Sequence, residues 1–416
     1  MQSNHSDSLE QEDAMSSSFS GFELANKLNL ARSVELSADS LLQPIPVELP
    51  SVAGWKEVPL KEGDEKLQPF GPFSENSDIF TSSIYYGEHE NSPYTTSENQ
   101  LDGSLIVMFA RQEVVASVRH AQQLLPEGHH LIVLDSYRTL QVQQALYDHY
   151  LDGLKVKHPD WDVDALSAET QKYVSLPSAV PTRPSPHNTG GSVDLAIYRL
   201  PSGIDGRVKE IDDRLDQLSG QLPKNPTLTQ EATDPAMRES YQIEMEKIGL
   251  IRQHAEFLNF GTQFDHGGSE AAVNYFEKLD QVRPLTEDEA EARDSRRMLY
   301  NAMVQAGMQP YEDEWWHYNS PKSQMGAKVA GLNEAEYGGV DLTEDNLSHE
   351  RMREAHREGL IRIQQGLLQG HHYAGKVDPL AELFALNEQV VSETGDPRQT
   401  HLPKAAVIAP SESEAA

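Results

Sequence analysis

Two short segments carry residue types that could hold a metal ion and move a proton. The first is Ser185-Pro-His187-Asn-Thr-Gly190-Gly191-Ser-Val-Asp194, and the second is Glu314-Trp-Trp-His317. A catalytic zinc takes three protein ligands from His, Asp or Glu and keeps a fourth position for water. His187, Asp194 and His317 would supply those three, with Gly190 and Gly191 letting the chain turn back on one ion. Glu314 precedes His317 by three positions. That odd offset cannot share one face of a regular strand, so a bulge or bend is required there. A carboxylate so placed would not be a fourth ligand. It would act as general base on the water that the metal activates. Each fragment alone is weak evidence: His-x6-Asp is common, Trp315-Trp316 reads as buried packing, and Asp194 could cap a turn. Their combination with Arg138, at a strand-to-helix junction where side chains face a cleft, is much less expected by chance.

Composition narrows the classes of function. The chain has 416 residues, 66 acidic against 34 basic, for a formal charge of -32. Such a surface repels phosphate backbones and anionic membranes, so no nucleic acid and no membrane insertion is expected. Without cysteine there are no disulfides, thiolate ligands or thiol nucleophiles, and any metal must sit on His, Asp and Glu. No basic n-region with an apolar h-region opens the sequence, and no apolar run approaches the roughly 20 residues that span a bilayer. The expectation is a soluble, cytoplasmic protein.

The elements that must position these residues follow from pattern. Residues 1–45 read as a disordered or partly helical tail, with a short helix near Phe22–Leu30. From Pro46 to Gln100 the composition predicts loops and short strands. The apolar spacing over Leu105–Leu125 predicts one amphipathic helix. A strand follows at His130–Leu134, then a helix from Leu140 to about Leu154 capped by Thr139. Helices are also predicted over Asp160–Ser175, Met237–Phe257, Glu270–Leu279 and Glu287–Ala306, the last opened by a capping box at Thr286. Gly190–Tyr198 and Glu314–Tyr318 read as strands, and Glu350–Leu368 and Pro379–Val391 as helices. His129-His130 reads as structural and His371-His372 as a surface pair. There is no Gly-x-Ser-x-Gly, no P-loop and no dinucleotide fingerprint.

Taken together, Ser-x-His-x-x-Gly-x-x-x-Asp followed by Glu-x-x-His resembles the zinc D-alanyl-D-alanine dipeptidases of the VanX type, whose wider fold includes D-Ala-D-Ala carboxypeptidases and the Hedgehog signalling domain. Asp135-Ser-Tyr-Arg138, Phe260-Gly-Thr-Gln-Phe-Asp265 and the helix beginning Arg296-Arg-Met-Leu resemble further family segments, in family order across roughly residues 75–320. The resemblance implies one zinc per chain on His187, Asp194 and His317. It makes Glu314 the proton carrier and Arg138 the oxyanion donor. Asp265 would pair with the ammonium of a small dipeptide, and Ser185 and Tyr137 would complete the substrate-binding set.

The expected fold is α+β, a small antiparallel sheet flanked by helices with zinc in a cleft over the sheet. Residues 46–320 would form the peptidase domain, with a helical insertion over 202–256 near the site entrance that could act as a lid. Residues 321–416 would form a helical extension ending in a frayed tail. The extensions read as padding or as a contact in a homo-oligomer. The expected reaction is hydrolysis of D-alanyl-D-alanine in cell-wall metabolism. Two alternatives stand beside it: a D,D- or L,D-carboxypeptidase acting on peptidoglycan stem peptides, and a non-catalytic zinc-containing binding module.

Overall fold

A computed structural model describes residues 38–347 and 350, apart from 62, 64, 90–91, 95–100, 172–173 and 223–233. The chain divides into two units, 1–40 and 41–416. Of the first, only the start of the helical turn Ala38–Leu41 is described; the expected helix at Phe22–Leu30 lies outside the described residues. So do the helices expected beyond Glu350.

The second unit is built in chain order as follows. Strands β1 (Leu67–Phe70), β2 (Phe80–Thr81) and β3 (Met108–Arg111) precede helix α1 (Gln112–Leu124) and strand β4 (His129–Asp135). Helices α2 (Leu140–Lys157) and α3 (Val163–Thr170) lead to strand β5 (Ser192–Arg199). Helices α4 (Ser202–Ser219) and α5 (Pro235–His254) precede a short strand, β6 (Glu256–Phe257). Helices α6 (Tyr275–Val282) and α7 (Glu287–Gln305), strands β7 (Gln309–Tyr311) and β8 (Glu314–Asn319), and helix α8 (Gln324–Ala330) complete it.

The main sheet runs β2-β4-β5-β8-β7, with β6 on the end of β5. It is antiparallel except at its edge, where β2 pairs parallel to β4. The expected α+β architecture is thus present, with that parallel edge as a difference. Strand β5 is buried along nearly its whole length, because neighbours cover it on both sides. Burial of Val193, Leu195 and Ile197 contributes roughly 1.5–3 kcal/mol each. The expected caps are present: Thr139 accepts from the Val142 N–H at 3.2 Å, and Thr286 and Glu289 form the reciprocal capping box of α7.

Four element readings need correction. The helix expected over Met237–Phe257 runs Pro235–His254, and Glu256–Phe257 pairs with β5 as β6. The helix expected over Leu105–Leu125 is strand β3 followed by α1. All four residues of β3 are buried and paired with β1, so tertiary pairing overrides the helical period there. The helix expected over Asp160–Ser175 covers only Val163–Thr170, opened by the Asp162 cap. The helix expected from Glu270 begins at Tyr275. Its intended first turn is diverted because Arg296 takes the carbonyls of Glu270 and Ala272 at 2.8 and 2.6 Å.

Helices α4 and α5 pack on each other and are pinned to the body by buried charges. Lys247 reaches the Ser77 carbonyl and Asp212, the latter at 2.7 Å, beside Glu244 at 3.5 Å. Asp205 meets His130 at 2.7 Å, which gives His130 the structural role expected of it.

Candidate active site

Register places the central residues in one row. Asp135 on β4 pairs with Asp194 on β5, and Asp194 pairs with His317 on β8. Cross-strand partners lie about 4.5–5.5 Å apart at Cβ, so the sheet itself brings a carboxylate and an imidazole together. The Asp194 Oδ1 to His317 Nδ1 distance is 2.8 Å. Glu314, three residues before His317, reaches within 3.8 Å of the same nitrogen. The irregularity this offset demanded is present: the β7–β8 register shifts between Pro310 and Tyr311, so that Tyr311 pairs with Glu314.

His187 enters from a single helical turn, His187–Thr189, between α3 and β5. Arg111 holds that turn, its Nε donating to the Thr189 carbonyl at 2.8 Å and its backbone N–H to Gly190 at 2.9 Å. Gly190 ends the turn at φ 67°, and a Cβ there would run into Leu67. His187 Nδ1 lies 2.8 Å from the Ser136 carbonyl, which directs Nε2 toward Asp194 at 3.3 Å and His317 Nδ1 at 3.2 Å. On the other ring, His317 Nε2 faces Asn319 Oδ1 at 3.1 Å.

The donor set fits a metal ion. One ligand atom from each of His187, Asp194 and His317 lies within 4.8 Å of the others, and all three residues are buried. Tetrahedral zinc with bonds of roughly 2.0–2.1 Å needs ligand atoms about 3.3 Å apart. The two imidazole nitrogens are 3.2 Å apart, close to that edge length, and Asp194 offers Oδ2 at 3.3 Å to His187 Nε2 and Oδ1 at 2.8 Å to His317 Nδ1. Each imidazole also has an acceptor for its outer N–H, so both inner nitrogens can offer lone pairs. Burial would raise the Asp194 carboxyl, but the His187 and His317 imidazoles hold it well below the usual range. Asp194 therefore stays anionic, as a ligand must.

Around this set lies a chain of coupled charges. Arg138 donates to Asp135 Oδ2 from Nε at 3.1 Å and Nη2 at 2.7 Å, to Gln143 at 3.0 Å and to the Tyr85 hydroxyl at 3.1 Å. Four of its five N–H donors are thus engaged, leaving one on Nη1. Burial opposes its charge, but Asp135 and Tyr85 raise its basicity above the ordinary arginine value. Tyr85 hands the chain on to Asp265 Oδ2 at 3.3 Å. Protein enclosure, followed by the charge of Asp194, pushes the Asp265 carboxyl up to about 7, although its exposed surface faces the cavity. Burial likewise pushes Glu314 up to about 8, against the pull of His317, while 29% of its side chain stays open to the cavity.

Asp265 sits at φ 61°, a left-handed conformation that Asp tolerates better than most residues. Its loop is clamped at both ends by the buried Arg296, which donates to the Phe260, Glu270 and Ala272 carbonyls. Phe260 stacks on Trp315 at 4.0 Å, and Trp315 Nε1 donates to Thr262 at 2.9 Å. The double tryptophan thus fastens the Asp265 loop to the strand that carries Glu314 and His317.

His187, Asp194, His317, Tyr85, Arg138, Gln143, Asp265, Glu314 and Ser185 line one cavity of about 500 Å³. Among the described residues the buried Ser185 hydroxyl has no hydrogen-bond partner. One expectation is corrected. Tyr137 does not line this cavity: it is buried with Leu67 and Phe109, and its hydroxyl donates to the Val340 carbonyl at 2.8 Å. It lies next to Arg138 in sequence, but the pairing of Tyr137 N–H with the Phe109 carbonyl turns it toward the β1–β3 side. Among the described residues none of the insertion 202–256 lines the cavity. Tyr85, Gln143 and Asn319 were not singled out by sequence reasoning. Tyr85 and Gln143 belong to segments without ligand spacing, and only the alternation His317-x-Asn319 marked the third.

Residues 247–333 match a peptidase family described as D-ala-D-ala dipeptidase. A D-alanyl-D-alanine dipeptidase of Synechocystis sp. is 27% identical over 149 residues, which is 33% of this chain. The matched part spans 58% of that relative's length. The resemblance drawn from the motifs is therefore borne out, and it supports a peptidase. The family match contains Asp265, Arg296, Glu314 and His317, whereas Arg138, His187 and Asp194 lie before it, Asp194 joining the site through the sheet. Among the described residues no helix is long and apolar enough to cross a membrane.

Proposed function

We propose that this chain, related through residues 247–333 to the D-alanyl-D-alanine dipeptidases, is a zinc-dependent dipeptidase that hydrolyses D-alanyl-D-alanine in peptidoglycan metabolism. The observation that carries the reading is the convergence of His187 Nε2, Asp194 and His317 Nδ1 beside Glu314, in one cavity with Arg138 and Asp265.

His187, Asp194 and His317 would hold one zinc ion. Zinc bound there polarises the scissile carbonyl and lowers the pKa of water toward about 7. Glu314 takes a proton from the attacking water and delivers it to the leaving amine as the water oxygen joins the carbonyl carbon and the C–N bond breaks. Its raised affinity for a proton suits both halves of that transfer. Arg138, oriented by Asp135 and Gln143, offers its remaining N–H to the developing oxyanion. Asp265 pairs with the substrate ammonium, and the Ser185 hydroxyl, which has no partner among the described residues, positions the substrate.

The cavity volume favours a second reading, carboxypeptidase action on longer stem peptides. About 500 Å³ lies within the range of roughly 300–1,000 Å³ that holds drug-sized ligands, which exceeds two alanines. Release of D-alanine from D-Ala-D-Ala and from its N-acetylated form separates the two, with zinc content measured in the wild type and in His187→Ala. The dipeptidase reading requires the free ammonium to be preferred. Faster cleavage of the blocked substrate transfers the protein to the carboxypeptidases, and cleavage of neither removes the peptidase reading.

A further inference from the structure

Part of the cavity wall is made by a segment whose sequence gave no sign of a function. Trp55–Glu57 form a single helical turn that packs on α8. The segment is strapped in place: Gln324 Nε2 donates to the Val58 carbonyl at 2.7 Å, and Pro59 and Lys61 exchange backbone hydrogen bonds with Ala335. Val52, Trp55, Lys56 and the buried Met325 line the cavity together. This wall offers an apolar surface with one cation set into it.

Lys56 is half-buried, with its Nζ 5.2 Å from the centre of the Trp55 ring. Among the described residues it forms no ion pair with a carboxylate, and neither does Arg183, which stands near enough to repel it. Two neighbouring cations without an acidic partner are unexpected in a chain with 66 acidic and 34 basic residues. Burial, followed by the charge of Arg183, makes Lys56 easier to deprotonate than an ordinary lysine. An arriving anion relieves both costs. Arg138, also on the cavity wall, is committed to Asp135, Gln143 and Tyr85, and its one remaining N–H is assigned above to the oxyanion.

We propose that Lys56 binds the free C-terminal carboxylate of the substrate, while Trp55 and Met325 receive the side chain next to it. The inference rests on the peptidase reading above and deepens it. The cavity would then present a carboxylate, Asp265, to the substrate's ammonium and a cation to its carboxylate, so that a zwitterionic dipeptide is read at both ends.

The test uses the zinc-loaded full chain and two substrates, D-Ala-D-Ala and its C-terminal amide. Wild type is expected to favour the acid, and Lys56→Met to lower kcat/KM on the acid roughly tenfold, the scale of one charge-assisted hydrogen bond. The loss should appear in KM rather than kcat, and the acid-over-amide preference should collapse. Lys56→Arg should keep the preference, and added salt should weaken it in wild type. An unchanged acid-over-amide ratio in Lys56→Met, with D-Ala-D-Ala still cleaved, overturns the role of Lys56 and leaves the dipeptidase reading standing. A wild type that cleaves neither substrate overturns both.

Discussion

His317 Nε2 lies 3.1 Å from Asn319 Oδ1, and the same oxygen accepts from Ser192 Oγ at 2.7 Å. The side chain of Asn319 is fully buried, and among the described residues its Nδ2 has no partner. An amide oxygen facing Nε2 requires the proton to be there, which leaves the Nδ1 lone pair directed at Asp194 and His187. Asn319 is therefore a positioning residue for the metal set. Asn319→Ala is expected to weaken zinc binding about 10–100-fold, measured by competition with a chelator, while Asn319→Asp retains an acceptor and most of the affinity. Equal affinity in wild type and Asn319→Ala removes this role.

Glu314→Gln separates chemistry from metal binding. The variant should keep zinc stoichiometry and lose about 10²–10⁴-fold in kcat. In the metal-free protein it has a second consequence. The Glu314 pKa in the folded state, about 8, is raised above its ordinary 4.5. The native state thus holds the proton more tightly than the unfolded chain, and this group's contribution to stability is lost as pH rises from about 4.5 to 8. Denaturation of zinc-free protein above that range should find Glu314→Gln at least as stable as wild type. A less stable variant would count against the burial of this carboxylate.

Asp265 governs the expected pH dependence of substrate capture. Its carboxyl is pushed up to about 7 by enclosure and by Asp194, and only the ionised form attracts an ammonium. KM should therefore rise as pH falls through this region, giving kcat/KM an acidic limb. A cation on His187, Asp194 and His317 moves the limb below about 7, because a nearby positive charge favours the carboxylate. Asp265→Asn should show a high KM at every pH and no limb of this origin. A limb in Asp265→Asn identical to that of wild type would assign it to another group.

The inserted helices carry a different kind of prediction. Lys247 is 2% exposed and answers Asp212 and the equally buried Glu244. Removing one partner from a buried charge set strands the others, at a cost of about 3–5 kcal/mol. Lys247→Met should lower the urea midpoint accordingly, and Lys247→Met with Glu244→Leu should recover part of the loss. A midpoint unchanged in the single variant would mean that α4 and α5 are held by apolar packing alone.

Much of the site was legible as residue types at intervals. His187, Asp194, His317 and Glu314 stood out because few side chains can hold a metal or carry a proton, and glycines and aromatics framed them. The demand for a strand irregularity at Glu314 followed from an odd offset against a period of two, and the shifted β7–β8 register meets it. Tyr137 went astray because adjacency in sequence says nothing about which side of a junction a side chain takes. Helices α4 and α5 are joined to each other and to the body by Lys247, Asp205 and their partners, contacts more than 30 residues long in sequence that no local pattern reveals.

By itself, then, the sequence determined the chemistry available: which atoms can ligate, which can titrate, and where the chain must turn. It also determined the local caps, because Thr139 and Thr286 act on N–H groups only three residues away. Tertiary structure alone decided which of these groups share a space. The row Asp135–Asp194–His317 exists only through strand register, and the link from Arg138 through Tyr85 to Asp265 joins positions separated by 53 and 180 residues. The Trp55–Lys56 wall faces the cavity only because α8 and Ala335 hold it there. Pairing energies between distant segments depend on the whole packed arrangement, so no local pattern around Lys56 could announce that it would meet a substrate.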